Sequence, residues 1–328
     1  MNKYDWKKLF KEFWPWLLLF VPSYFIFGIQ ILQRFSVIGE MIISLLPLII
    51  VISLIVQIIL GIILFRKYQQ KLALIFTFIV SIFLTSLFIP QVYDYYYPVT
   101  KNYEQTDNSQ VVSVLSANIL YTNGDMVGLA GKIKQLSPDV VFLCELTRAH
   151  YSELIELLHS EYHFSYAPTS AMNGYFAKSR PVSVSEIKFP QDQSYLELEF
   201  IINGTKYEIF GVHAPPMDPD SAAVKTSYLT NLESQIKSLS SSKELVVGDF
   251  NLSPWVKRYS DFVDNLPRGF TNLGEGNGYY ATWEPAANLG LFVTAIDHAF
   301  ISPSLKINDF EVVEMSGSDH KGIFIQMR

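Results

Sequence analysis

Three apolar stretches fill most of the first hundred residues, about Phe13 to Leu32, Met41 to Phe65 and Leu72 to Ile89. Crossing the hydrocarbon of a bilayer takes roughly 20 apolar residues per helix, and each run is near or above that length. A soluble core does not need three such runs with almost no charge. A cleaved signal peptide is shorter, and the first run has no small-residue cleavage site before the next span begins. The sequence therefore predicts three transmembrane helices within residues 1–92.

Lys and Arg set the expected orientation. The N-terminal arm holds Lys3, Lys7, Lys8 and Lys11, the second loop holds Arg66, Lys67 and Lys71, and the first loop has only Arg34. The two basic segments are expected in the cytoplasm, so an odd number of spans places everything after Ile89 outside it. The expected localisation is the cell membrane, multi-pass, with an extracytoplasmic C-terminal domain. Tyr93, Tyr95, Tyr96 and Tyr97 stand where an interfacial aromatic belt is expected. Residues 93–110, with Pro98 and an Asn/Asp/Gln-rich run, read as a linker, and residues 111–328 as one globular domain.

The two parts differ in charge. Up to residue 100 there are 8 basic and 4 acidic residues, beyond it 17 and 27, giving balances of +4 and −10. Phosphate neutralisation dominates nucleic-acid affinity, so an acidic domain argues against DNA or RNA as the main substrate. The single cysteine, Cys144, excludes an intrachain disulfide and reads as a packed apolar thiol.

Beyond residue 110, strand signals at Val111–Asn118, Val140–Glu145, Gly174–Ala177, Ser183–Phe189, Tyr195–Ile202 and Tyr207–His213 are followed by others at Glu244–Gly248, Ala295–Ile301, Lys306–Val313 and Gly322–Gln326. Helical spacing occurs at Met126–Leu136, Ala149–Leu158 and Ser221–Leu239, and Asn203-Gly204 is a two-residue hairpin turn. Strands in two series accompanied by helices suit an α/β four-layer αββα sandwich. An open doubly wound sheet would need a Gly-rich phosphate loop after the first strand, and Ser116-Ala-Asn-Ile-Leu-Tyr has none.

Most of the polar residues that stand out end an apolar run, as Asn118, Glu145, His213 and Asp249 do. Carboxylates, amides and imidazoles delivered to one rim of a sheet core make a divalent-metal and phosphate site. Mg²⁺ prefers hard oxygen ligands, which makes Glu145 the first metal ligand, with Asn118 and Asp319 as neighbours; Mn²⁺ suits the same donors. Asp249 and Asn251 share a face if their strand persists, and an Asx turn is the other reading of that pair. No Walker loop, paired zinc spacing or nucleophile elbow is present.

The fragments Ser116-Ala-Asn118-Ile, Glu145, Gly211-Val-His213-Ala-Pro-Pro, Gly248-Asp249-Phe-Asn251, Ile296-Asp297-His298 and Ser318-Asp319-His320 occur in an order that resembles the endonuclease/exonuclease/phosphatase superfamily. The resemblance covers about residues 111–328 and implies a four-layer sandwich that cleaves phosphate esters with Mg²⁺. It implies that Asp249 activates water, that Asn251 and Asn118 donate to phosphate oxygens, that Asp297 and His320 form a dyad, and that His213 faces the phosphate or leaving group. It leaves open whether Asp249 or His320 is the general base. The N-terminal spans make the chain similar to a membrane-anchored, teicoplanin-resistance branch of that family, which implies a lipid-linked phosphate or pyrophosphate, undecaprenyl pyrophosphate in particular.

The remaining readings are an exported nuclease, a lipid phosphodiesterase and a non-catalytic tethered binding module. His150, His159 and His163 are expected at the surface, and His298, one residue past Asp297 and so on the opposite strand face, is expected to pack. Trp283 either walls the substrate site or fills core, the second being the favoured reading, and Arg148 is a candidate phosphate contact.

Overall fold

The computed structural model describes residues 14, 16–67, 71–96, 111–167, 172–238, 243–276, 281–284 and 293–328. It divides into two compact units, Met1–Tyr93 and Asp94–Arg328. The N-terminal arm and most of the expected linker lie outside the described residues, as does Tyr97. The linker's first residues, through Tyr96, are helical.

In the first unit a 3-10 turn at Leu18–Phe20 leads into α1 (Val21–Leu32), followed by α2 (Val37–Ile43), α3 (Leu46–Lys67), α4 (Lys71–Ser86) and α5 (Ile89–Tyr96). Among the described residues α3 alone is long and apolar enough to cross a membrane; Leu18–Leu32 and Lys71–Ser86 are shorter apolar helices. Sixteen residues rise about 24 Å against a hydrocarbon core of about 30 Å. The expectation of three spans is thus met by one helix of sufficient length. The second apolar run is broken, because the chain turns at Ser44–Leu45 between α2 and α3. Inside the unit Gln57 Nε2 lies 2.9 Å from Ser23 Oγ, 2.9 Å from Thr85 Oγ1 and 3.2 Å from the Ser81 carbonyl, tying α1, α3 and α4 together through polar groups away from water.

The second unit is a sandwich of two mixed sheets. One holds β1 (Val112–Asn118), β2 (Val140–Cys144), β3 (Phe164–Tyr166), β4 (Asn173–Ala177), β11 (Ile307–Glu314) and β12 (Lys321–Met327), in the order β11-β12-β1-β2-β4-β3. The other holds β5 (Ser183–Phe189), β6 (Gln193–Ile202), β7 (Thr205–His213), β8 (Lys243–Asp249), β9 (Thr271–Asn272) and β10 (Asp297–Ile301), in the order β5-β6-β7-β8-β10-β9. Each sheet has one parallel pair at its centre, β1 with β2 and β7 with β8. A parallel pair needs a crossover, supplied by α6 (Met126–Leu136) in the first case and α8 (Ala222–Ser238) in the second. α7 (Arg148–Leu158) and α9 (Lys257–Asn265) complete the outer layers.

Strands buried on both faces read as continuous apolar runs rather than alternating ones, and the packing shows why. Along β1 and β2, Val112, Val114, Val140 and Phe142 enter the core between the sheets, while Leu115, Ala117, Val141 and Leu143 enter a second core under α6 and α7. His150 shares a helix face with Leu154 and Leu158 and is buried, contrary to the surface expectation; His159 and His163 are exposed. On the other side Phe250, Phe262 and Phe300 stack beneath α9 at centroid separations of 5.3 to 5.5 Å. The Asn203-Gly204 turn has φ of 52° and 75°, as a type I′ hairpin requires.

Candidate active site

Both parallel pairs end at the same rim. Asn118 closes β1 and Glu145 follows β2, while His213 closes β7 and Asp249 closes β8, directly opposite one another in register. Asn118 links the sheets: its Nδ2 donates to Glu145 Oε1 at 2.9 Å and to Asp249 Oδ2 at 3.0 Å. Its oxygen accepts from the Leu120 amide at 3.0 Å. Asn118, expected among the metal ligands, bridges the two carboxylates as a donor, while its oxygen keeps a second lone pair beside the bond from Leu120. Glu145 sits at φ 57°, and its second oxygen accepts from the Tyr121 amide at 2.8 Å.

The backbone of β7 and β8 is drawn close behind Asp249. Gly248 has φ +145°, and a Cβ there would lie 1.9 Å from the Val212 carbonyl oxygen. The strand stops at Asp249, so Asn251 is not delivered along a strand face. It has φ 50° and is held by an Asx turn, its amide donating to Asp249 Oδ1 at 2.7 Å. Its side-chain NH₂ donates to the Ala214 carbonyl at 3.0 Å and to Asp249 Oδ2 at 3.3 Å. Asp249 thus accepts from Asn118, from the Asn251 backbone and from the Asn251 side chain. Lys225, a buried lysine on α8, donates from Nζ to the Asn251 carbonyl at 2.7 Å. Sequence reasoning missed Lys225, although a lone Lys on the inward face of α8 was the available signal.

Asp297 opens β10 opposite Asp249, and its Oδ2 lies 2.9 Å from His320 Nδ1. Burial alone would lower the His320 imidazole, but Asp297, through charge and hydrogen bond, together with Asp249 and Asp319 raises it to about 9. Burial pushes the Asp297 carboxyl up, with His320 opposing. Asp297, Asp249 and Asp319 all act on the imidazole and favour its charged form. His298, as expected, is wholly buried, donates from Nε2 to the Leu252 carbonyl at 2.7 Å, and is held down to about 4 by burial.

His213 Nδ1 lies 3.0 Å from Asn173 Oδ1, and Asn173 Nδ2 donates to the Ser194 carbonyl at 2.7 Å. The Asn173 oxygen is thus the acceptor, which puts the proton on Nδ1 and leaves Nε2 as the other nitrogen. Trp283 is half-buried and donates from Nε1 to Asp319 Oδ2 at 3.0 Å, so it holds a site residue instead of only filling core. Arg148 is exposed at the start of α7. Cys144 is buried, its thiol pushed well up by that burial.

The donor set suits a divalent cation. Asp319 Oδ1 is buried without a hydrogen-bond partner, an arrangement that costs free energy unless another group satisfies it. Each Glu145 oxygen takes one donor, leaving lone pairs on both. Asp249, Asp297 and His320 also bring one ligand atom each within 4.8 Å of one another. A cation there would compete with the proton that His320 holds.

Residues 115–320 match the model of the Endonuclease/Exonuclease/phosphatase family. The chain belongs to that family. Its members are typically metal-dependent phosphodiesterases and nucleases that use divalent ions. No curated protein is significantly similar in sequence. Among solved structures, a humanized D. rerio TDP2 carrying 14 mutations is 22% identical with a TM-score of 0.58, covering 67% of this chain and 99% of that one. A D. rerio TDP2 complexed with single-strand DNA product is 19% identical at 0.57, covering 66% and 99%. A family protein from Bacteroides thetaiotaomicron is 16% identical at 0.51, covering 66% and 97%. At these identities the likeness shows the endonuclease/exonuclease/phosphatase fold.

Proposed function

We propose that this chain is a membrane-anchored, divalent-metal-dependent phosphoesterase acting on a lipid-linked phosphate or pyrophosphate, with undecaprenyl pyrophosphate the specific substrate, outside the cytoplasm. One observation carries the lipid assignment. The family's site is joined in one chain to an apolar helical unit that bears most of the large hydrophobic side chains exposed among the described residues. Exposed apolar surface on that scale marks a membrane or partner contact. A catalytic unit with a balance of −10 lacks the basic footprint of nucleic-acid binding, and anchoring raises the effective concentration of a substrate in the same bilayer.

Glu145 and Asp319 would hold the ion, Mg²⁺ by their hard oxygens. When bound, it supplies positive charge that neutralises the phosphate and the leaving oxygen. Asp249, fixed by its three donors, orients and deprotonates the attacking water. His320, as imidazolium paired with Asp297, holds phosphate oxygens and stabilises the charge that grows on them. Asn118 keeps Glu145 and Asp249 at a fixed separation. His213, its tautomer set by Asn173, offers Nε2 toward the leaving group.

A second reading, a nuclease, is favoured by the fold likeness to TDP2 with its bound single-strand DNA product. The full-length protein in detergent is incubated with undecaprenyl pyrophosphate and, separately, with plasmid and single-stranded DNA, in Mg²⁺. The lipid reading expects inorganic phosphate from the lipid and intact DNA. DNA cleavage without phosphate release from the lipid overturns it, and in a third incubation with a phospholipid, release of the phosphorylated headgroup identifies a phosphodiesterase.

A further inference from the structure

The apolar unit carries a groove that its own packing does not fill. Between α3 and α4 a cavity of about 390 Å³ is walled by Ile58, Ile62, Phe65, Leu74, Ile75 and Phe78, and Arg66 also lines it. Gly61 also lines it: a Cβ there would sit 2.7 Å from the Phe78 ring, so any larger residue would force that ring to shift. Lys71 Nζ lies 4.3 Å from the Phe65 ring centroid, close to the same end as Arg66. Residues 41–93 contain no Asp or Glu. The slot is therefore apolar along its length and cationic at one end, with no acidic side chain in these helices to neutralise that end.

That distribution selects its occupant. A water-soluble anion gains nothing from the apolar walls. An uncharged or zwitterionic lipid gains little from the cations. Guanidinium matches a phosphate with paired donors, and basic pockets between membrane helices on the cytoplasmic side bind anionic headgroups. We infer that the α3–α4 groove binds an anionic phospholipid, its acyl chain along the Ile and Phe walls and its phosphate at Arg66 and Lys71. The inference rests on the membrane anchoring proposed above. With the Arg66–Lys71 loop in the cytoplasm, the lipid belongs to the inner leaflet, whereas the substrate is turned over on the other side.

The test uses the full-length chain reconstituted in phosphatidylcholine vesicles with a trace of photo-crosslinkable phosphatidylglycerol or photo-crosslinkable phosphatidylcholine, and maps labelled peptides. Phosphatidylglycerol is expected to label α3 and α4 several-fold more than phosphatidylcholine. In the R66Q/K71Q double variant that several-fold excess should disappear, because the two basic residues supply the attraction for the anionic headgroup. Equal labelling by the two lipids, or a variant labelled like the wild type, overturns the site. Displacement of the phosphatidylglycerol label by polyprenyl phosphate, but not by unlabelled phosphatidylglycerol, would assign the groove to the substrate tail and overturn it as well. Alkaline carbonate extraction separates the two levels. A chain retained in the membrane without lipid preference sinks only the groove, while a chain washed off sinks the anchoring reading and the groove with it.

Discussion

At the scale of single residues the site works by mutual restraint. Asn118 spans Glu145 and Asp249, Asn251 folds back on Asp249, and Asp297 holds His320. The His320 imidazole is raised to about 9 in the folded protein and titrates near 6.5 in an unfolded chain. A raised folded value stabilises the protein fully below about pH 6.5, and that stabilisation is lost as pH rises through about 9. In EDTA, urea unfolding of the wild type should show a decline across this window that is absent from His320→Gln, and parallel curves for the two would show that the dyad holds no proton. Lys225 acts one step removed. Its bond to the Asn251 carbonyl pins the turn that presents Asp249, so Lys225→Met should lower kcat by roughly 10²-fold, the scale of a small misplacement of a reacting group, with a smaller change in KM. Unchanged kcat would reduce Lys225 to a packing residue.

At the scale of elements, the close approach of β7 and β8 is what seats Asp249. Gly248→Ala places a Cβ 1.9 Å from the Val212 oxygen at φ +145°. Overpacking costs roughly 1–3 kcal/mol, so thermal unfolding should register a loss of that order together with lost turnover, and a variant as stable and active as the wild type would show that the approach is not needed. Much of this architecture was legible in the sequence, because the buried strands are uninterrupted apolar runs and the Asn203-Gly204 turn fixes one hairpin. What escaped was short or weakly patterned. β3 and β9 hold three and two residues, and α9 buries only Tyr259 and Phe262. His150 was misread because its spacing of four from Leu154, and of eight from Leu158, was outweighed by its polarity. The residues of the site could be named from their fragments, and the Asn251 turn, made within three residues, was one of the two readings of its pair, but the Asn118 orientation and the Trp283–Asp319 bond depend on contacts between segments far apart in the chain.

At the scale of the whole molecule, an acidic unit of the endonuclease/exonuclease/phosphatase family follows a helical unit rich in exposed Ile, Leu, Phe and Val, in which α3 alone among the described residues has the length of a span. The rim bearing Glu145, Asp249 and His320 is expected to hydrolyse phosphate esters, or the phosphoanhydride of a lipid pyrophosphate, with the help of a divalent ion. The most direct test is phosphate release from undecaprenyl pyrophosphate by the full-length protein in Mg²⁺, compared with the same protein in EDTA and with Asp249→Asn in Mg²⁺. Loss of the group that activates water is expected to cost roughly 10²–10⁴-fold in kcat, and chelation should abolish release, with recovery on adding back Mg²⁺ or Mn²⁺. Release that persists in EDTA, or an Asp249→Asn variant as active as the wild type, would contradict the account.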